Sequence, residues 1–262
     1  VEIDMPYVIA LWHQKGGVAK TTSAISLAAC LVEKHHETLV IDLDVQANLT
    51  TGLGADPSKV RYSAADVLMG NAALLSISRE TSLPGLDLVG ANSTLLTVAR
   101  YLHVREHYEY LLRETFAQPS LAHYDFIVLD CPPQVGPITI AALTAANLVI
   151  APTQCEYFSV QALRQTLDLV ELVRHKTNAA LAYRILVTMF DLRGSLHSRL
   201  LEQLRTHFTG ALFNTTIGFD SKLRESQLAG KPITLHSPAS RSAQQYRQLA
   251  EEMLVYAQQP VL

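Results

Sequence analysis

His13-Gln14-Lys15-Gly16-Gly17-Val18-Ala19-Lys20-Thr21-Thr22 is the stretch on which the fold turns. It follows a short apolar run, Tyr7-Val8-Ile9-Ala10-Leu11-Trp12, and leads into residues 22–33, where Ile25, Leu27, Ala28 and Leu31 recur at helical spacing. A strand, a glycine-bearing loop and a helix in that order build an anion site. Consecutive backbone N–H groups gather at the helix N-terminus, Gly16 and Gly17 let the backbone approach phosphate, and Lys20 adds positive charge. Thr21 is then placed to offer its hydroxyl to Mg²⁺. The strict G-x-x-x-x-G-K-[ST] pattern is not met, because Gln14 and Ala19 stand at its two glycine positions.

Outward from this loop, Thr38-Leu39-Val40-Ile41-Asp42 reads as a second buried strand. The alternation continues through a strand at 86–89, helical sequence over 92–116, and strands at 126–130, 148–151 and 184–188. Near-continuous apolar strands between amphipathic helices require a parallel sheet covered on both faces. The expected fold is α/β, a single-domain P-loop NTPase spanning 1–262, its mostly parallel sheet covered by helices on both faces; 262 residues suit one such core. A last helix over 240–257, with Tyr246, Leu249, Met253 and Leu254 on one side, closes it. Two strands end in acids, at Asp42-Leu43-Asp44 and at Asp130, and neighbouring parallel strands bring their C-terminal ends together where ligands bind. Asp130 is a candidate for a magnesium shell, and Asp42 or Asp44 for orienting a water, with a cap or turn as the alternative for each.

With 21 Lys+Arg against 24 Asp+Glu, 48% hydrophobic and 17% charged residues, the composition is that of a soluble globular protein and excludes wholesale disorder. Cys30, Cys131 and Cys155 lie too far apart for a zinc cage or a disulfide framework, so a reducing cytosol is expected. The N-terminal residues lack a signal-peptide pattern. Residues 131–155 carry no charge, but Pro132, Pro133, Pro137, Asn147 and Pro152 interrupt them too often for a membrane span. His103 and His107 stand at i, i+4 without a zincin pattern and read as solvated, and no G-x-S-x-G elbow is present.

The loop resembles the K-G-G-x-x-K-[ST] loop of the ParA/MinD family of deviant Walker A ATPases, and within it the ParA/Soj partition proteins. The similarity continues in Asp42-Leu43-Asp44-Val45-Gln46-Ala47-Asn48, in Leu129-Asp130-Cys131-Pro132-Pro133, and in the run from Ala151 to Phe158. Thr188-Met189-Phe190-Asp191-Leu192-Arg193 and Gly230-Lys231-Pro232-Ile233 complete it. The helix-turn-helix extension of some plasmid ParA proteins is not expected, since the loop begins at residue 15. The resemblance implies an ATP hydrolase, slow and partner-stimulated, with ATP and Mg²⁺ as cofactors held by Lys15, Gly16, Gly17, Val18, Ala19, Lys20, Thr21 and Thr22. By the same resemblance Lys20 contacts the β- and γ-phosphates, and Lys15 reaches the partner subunit's ATP in a homodimer. Thr21 ligates Mg²⁺ and Asp130 acts on it through water; Asp44 positions the attacking water, leaving Asp42 a structural role. Ala19, Val45 and Ala47 depart from the family's glycine, proline and glycine, which bears on the hydrolysis rate.

The net charge of −3 gives no global reason to expect nucleic acid, but it is unevenly spread. Residues 174–247 hold eleven Lys+Arg against four acids, leaving ten basic and twenty acidic residues elsewhere. Such asymmetry can hide a local phosphate-binding face. The resemblance places DNA contacts at Arg193 and Lys222, with Arg224 close by, although Ile217-Gly218-Phe219-Asp220 stands where relatives usually have I-P-R-N. Without base-reading features, binding to double-stranded DNA is expected to be nonspecific. The implied function is an ATP-dependent dimerising switch, cytoplasmic and nucleoid-associated, that binds DNA in its ATP state and drives chromosome or plasmid segregation with a ParB-type DNA-bound activator. The alternative is a MinD-like or organelle-positioning ATPase acting on a membrane or protein cargo. Membrane binding is disfavoured by the C-terminal stretch, which has two acids and no Lys or Arg after Arg247. Adenine contacts are expected from residues 214–224.

Overall fold

Every residue of the strands Thr38–Asp42 and Phe126–Asp130 is buried, as strands covered on both faces must be. The structure, a computed structural model, describes residues 5–156, 158–191 and 195–258. Its strands are β1 (Tyr7–Leu11), β2 (Thr38–Asp42), β3 (Arg79–Glu80), β4 (Leu86–Val89), β5 (Phe126–Asp130), β6 (Leu148–Gln154), β7 (Ala182–Phe190) and β8 (Leu212–Gly218). They form one sheet in the order β3-β4-β2-β5-β1-β6-β7-β8, parallel throughout except for the antiparallel edge pair β3–β4.

The helices are α1 (Lys20–Glu33), α2 (Asn48–Gly52), α3 (Ala64–Met69), α4 (Leu74–Ile77), α5 (Thr94–Tyr101) and α6 (Leu111–Phe116) in the first half. They continue as α7 (Pro137–Ala145), α8 (Ser159–Lys176), α9 (Ser195–His207), α10 (Ser221–Leu228), α11 (Ile233–His236) and α12 (Arg241–Ala257). Side-chain alternation along β1 shows how they are sorted. Val8 and Ala10 enter a core shared with α3, α5, α6, α7 and α8, whereas Ile9 and Leu11 enter one shared with α1 and α12. A third, smaller cluster joins Ile185 and Val187 of β7 to Leu163 of α8 and Leu204 of α9.

The crossover from β1 through α1 to β2 passes over β5, so the C-terminal ends of all three strands meet under the N-terminus of α1. Leu11 is in register with Asp130, and Asp130 with Asp42.

The expected doubly covered parallel sheet is present, with differences in detail. The helical stretch read over 92–116 is broken: α5 gives way to short 3-10 turns at Leu102–Val104 and Tyr108–Tyr110 before α6 begins. His107 adopts a left-handed backbone (φ 56°), which cannot continue an α-helix, so His103 and His107 do not share a helical face. β3 and β8 were not among the expected strands, and β7 is longer than 184–188 at both ends. The last helix fits: Ser240 caps it by accepting the Ala243 N–H (3.2 Å), and Tyr246, Leu249 and Met253 are buried.

Candidate functional site

The loop between β1 and α1 is pinned from three sides. The Lys15 N–H donates to His13 Nδ1 (2.9 Å), Thr188 Oγ1 donates to the Val18 carbonyl (3.1 Å), and Gln154 Nε2 donates to the Gly17 carbonyl (3.1 Å). Burial, reinforced by Lys20 and Lys15, pushes the His13 pKa down to about 4, so the imidazole stays neutral and keeps Nδ1 free to accept. Gly17 (φ 74°) and Ala19 (φ 67°) are both left-handed. This curls the chain so that, among the described residues, the backbone N–H groups of Gly16 through Thr22 have no protein acceptor; Ser23 is the first to bond back, to the Ala19 carbonyl (2.9 Å). Seven free donors at one helix start are the cradle an anion needs.

Lys20 is only 8% exposed and leans its Nζ toward the Lys15 carbonyl (3.4 Å). Burial lowers its pKa from the ordinary lysine value, while Asp130 and Asp44 pull the other way. Thr21 Oγ1 donates to Asp130 Oδ2 (2.6 Å) across the tip of the sheet. Asp130 is fully buried and its Oδ1 has no partner among the described residues. Burial, and after it the Asp42 carboxylate, raises the Asp130 pKa well above the usual range. A buried carboxylate oxygen with no donor, beside a threonine hydroxyl, is a donor set suited to Mg²⁺, a hard cation that takes oxygen ligands and keeps several waters. Among the described residues no group of three His, Cys, Asp or Glu could enclose a metal alone. Any ion here would therefore complete its shell with water and phosphate oxygens.

The two other acids separate. Asp42 accepts the Thr50 N–H (2.8 Å) and hydroxyl (2.7 Å) on Oδ2 and the Asp44 N–H (3.1 Å) on Oδ1. Its pKa is pushed up to about 6, chiefly by burial. It is a structural clasp for the loop into α2. Asp44 is half-buried, caps the turn through the Gln46 N–H (3.0 Å) and lines the open cleft beside Lys20. Ala47, next along, is left-handed as well (φ 52°).

These parts surround a cleft of about 980 Å³ walled by Gly16, Gly17, Ala19, Lys20, Thr21 and Thr22 on one side and by α2 and the end of α10 on others. Lys15 and Val18 do not line it. The Val18 side chain is buried, and Lys15 stands at the surface in an ion pair with Glu156. A side chamber of about 140 Å³ opens past Ala19 and Thr22, walled by Ile217, Phe219, Leu223 and Tyr246. The segment expected to contact adenine thus reaches the phosphate loop.

Over residues 6–183 the chain matches the AAA domain family model. It is 35% identical over 258 residues to the sporulation initiation inhibitor protein Soj of Bacillus subtilis, covering 95% of this chain and 98% of Soj. It is also 35% identical to the chromosome partitioning protein ParA of Caulobacter vibrioides, covering 94% and 93%. The chain belongs to the ParA/Soj family of chromosome-partitioning ATPases. Among solved structures, cobyrinic acid a,c-diamide synthase from Mycobacterium smegmatis with bound ATP analog and magnesium superposes with a TM-score of 0.85 at 30% identity, covering 98% of each chain. A plasmid partition protein from Borrelia burgdorferi gives 0.73 at 26%, covering 96% of this chain and 99% of that one.

Of the expected DNA contacts, Arg193 lies outside the described residues. Lys222 is exposed on α10 and paired with Glu225 (2.7 Å). Arg224 is exposed as well and lines both the cleft and the side chamber. The basic stretch 174–247 is partly self-neutralised, since Arg247 grips Glu33 with two nitrogens and Arg174 pairs with Glu171. No described helix is long and apolar enough to cross a membrane. Sequence reading gave no individual role to Glu156, which pairs with Lys15, or to Gln227 and Met189 on the cleft wall, although the stretches around Glu156 and Met189 carry the family resemblance. Gln227 falls one helical turn after Arg224, the one signal that could have marked it.

Proposed function

We propose that this protein is an ATP-driven switch that dimerises around Mg²⁺-ATP, binds DNA nonspecifically in that state, and releases it after hydrolysis stimulated by a ParB-type DNA-bound partner. The observation that carries the reading is the gathering of Lys20, Asp44, Thr21 with its Asp130 partner, and the residues of six of the seven free loop N–H groups at one cleft. In this reading the loop N–H groups and Lys20 bind the β- and γ-phosphates, and the side chamber takes the base. Thr21 and Asp130 would hold Mg²⁺, which when bound supplies charge neutralisation for phosphoryl transfer. Asp44, the acid that stays in the open cleft, orients the attacking water; Asp42 holds the loop that carries Asp44. Lys15 leaves Glu156 to meet the partner subunit's phosphates, so the charge that arrives with ATP couples directly to dimerisation. Lys222 and Arg193 are the DNA contacts, acting on backbone phosphate in the cytoplasm, at the nucleoid.

The same engine could serve a membrane or a protein cargo. One experiment separates these: cosedimentation of the Asp44→Ala protein with duplex DNA and with anionic liposomes, in ATP and in ADP. DNA pelleted with ATP and not with ADP is the expected result. Equal DNA binding in both nucleotides would refute the switch, and ATP-dependent liposome binding would reassign the cargo.

A further inference from the structure

Five residues line both the cleft and the side chamber: Ala19, Thr22, Met189, Arg224 and Gln227. They mark the neck between the phosphate cradle and the apolar room beyond. Gln227 Nε2 donates to Thr22 Oγ1 (2.8 Å), which ties α10 to the start of α1 and fixes the helix face that Arg224 shares one turn earlier. The Arg224 guanidinium lies over the Phe219 ring, 5.2 Å from its centroid, and forms no ion pair with a described residue. Lys20 and Arg224 are the two cations among the cleft's lining residues. Lys222 and Arg224, two residues apart on one helix, leave it in directions about 160° apart. Both are exposed, and Lys222 is bonded to Glu225.

We propose that Arg224 is a nucleotide-binding residue, seated against the α-phosphate. This rests on the reading of the cleft as a nucleotide site. The chemistry suits the neck: beyond it Ile217, Leu223, Phe219 and Tyr246 offer a flat base apolar walls, and before it the loop N–H groups take the terminal phosphates. The ring beneath Arg224 pre-orders its planar fork, so the guanidinium meets a phosphate oxygen with little rotamer entropy left to lose. Basic residues on α10 therefore divide: Lys222 is left for DNA and Arg224 reads the nucleotide.

The test measures ADP and adenosine affinity by calorimetry on the full chain, and DNA binding at saturating Mg²⁺-ATP, for wild type, Arg224→Ala, Arg224→Lys and Lys222→Ala. Loss of one charge-assisted contact predicts ADP binding weakened about tenfold or more in Arg224→Ala, with adenosine changed by less than about threefold. Arg224→Lys keeps the charge without the fork and falls between. DNA binding by Arg224→Ala recovers once ATP saturates, whereas Lys222→Ala loses DNA and keeps ADP. Wild-type ADP affinity in Arg224→Ala, or DNA binding that stays lost at saturating ATP, overturns the assignment. Failure of the wild type to bind ADP would instead remove the nucleotide reading itself. Apo melting curves show whether each variant is folded.

Discussion

Ala19 and Ala47 stand in left-handed backbone, at φ 67° and ψ 33° and at φ 52° and ψ 34°. An L-residue there is disfavoured by about 1–2 kcal/mol, because Cβ crowds the following carbonyl. Replacing alanine with glycine removes that cost but returns about 0.4–1 kcal/mol of conformational freedom to the unfolded chain. At Ala19, which is half-buried and belongs to no core cluster, Ala19→Gly should stabilise the nucleotide-free protein by about 0.5–1 kcal/mol. Ala47 differs in one respect: it is 4% exposed and its methyl packs in the core with Leu43 and Val45. Losing a buried methyl costs about 0.8 kcal/mol, so Ala47→Gly should be close to neutral. For a chain of this size 1 kcal/mol corresponds to roughly 2–4 °C in Tm. Calorimetric melting, with Ala162→Gly in the interior of α8 as the reference, reads the difference. The reference should lose about 1 kcal/mol, having no left-handed strain to relieve. An Ala19→Gly protein that melts below wild type would refute the assignment of strain to this position.

Asp130 is raised well above its ordinary pKa by burial, so its ionised form works against the fold once pH exceeds the unfolded-state value near 4, increasingly until the folded pKa is passed. The Tm of Asp130→Asn relative to wild type, without nucleotide or Mg²⁺, should therefore climb as pH goes from 5 to 7.5; a difference independent of pH excludes this account. The Lys15–Glu156 pair is exposed on both sides and contributes at most about 1 kcal/mol. Glu156→Gln should leave the apo Tm nearly unchanged while lowering the protein concentration needed for ATP-dependent dimerisation by up to about thirtyfold, one pair being relieved in each subunit, as followed by light scattering; weaker dimerisation would show that Glu156 helps the dimer rather than holding Lys15 back.

What could be read along the chain was what is local. The loop at 15–22 and the acids at 42, 44 and 130 carry their chemistry within a few residues of a buried strand, and parallel topology gathers strand ends without further information. The long helix over 92–116 was misread because the left-handed turn at His107 has no apolar signature. The Lys15–Glu156 pair spans 141 residues and the Gln227–Thr22 bond spans 205, so nothing in either neighbourhood announces the other. Arg224 shows the same limit. Its sequence context is a basic stretch, and only the orientation of α10 separates it from Lys222. The departures at Ala19 and Ala47 were visible as letters; the structure supplies their meaning, since both positions retain the backbone conformation that glycine adopts freely.

The electrostatics of the strand ends also bear on why metal and nucleotide would act together. Asp42 and Asp130 are directly paired in register, and Asp44 follows two residues later. Each of the first two has its pKa raised by burial and by neighbouring acids. Lys20 is the nearby cation, and its own burial weakens it as a counterion. The shifts of Asp42 and Asp130 both run toward the neutral carboxyl, where a metal shell would need carboxylate. A bare nucleotide polyanion would meet three acids, and a bare Mg²⁺ would meet only Asp130 Oδ1 and the Thr21 hydroxyl, too few ligands to displace its water. Arriving together, the phosphates would supply the oxygens the metal lacks, and the metal would supply charge that offsets the acids. The hydrogen bonding of the other two acids differs. Asp42 has both oxygens engaged by Thr50 and the Asp44 backbone, whereas Asp44 Oδ2 has no donor among the described residues at the cleft wall, the arrangement the proposed water-orienting role needs.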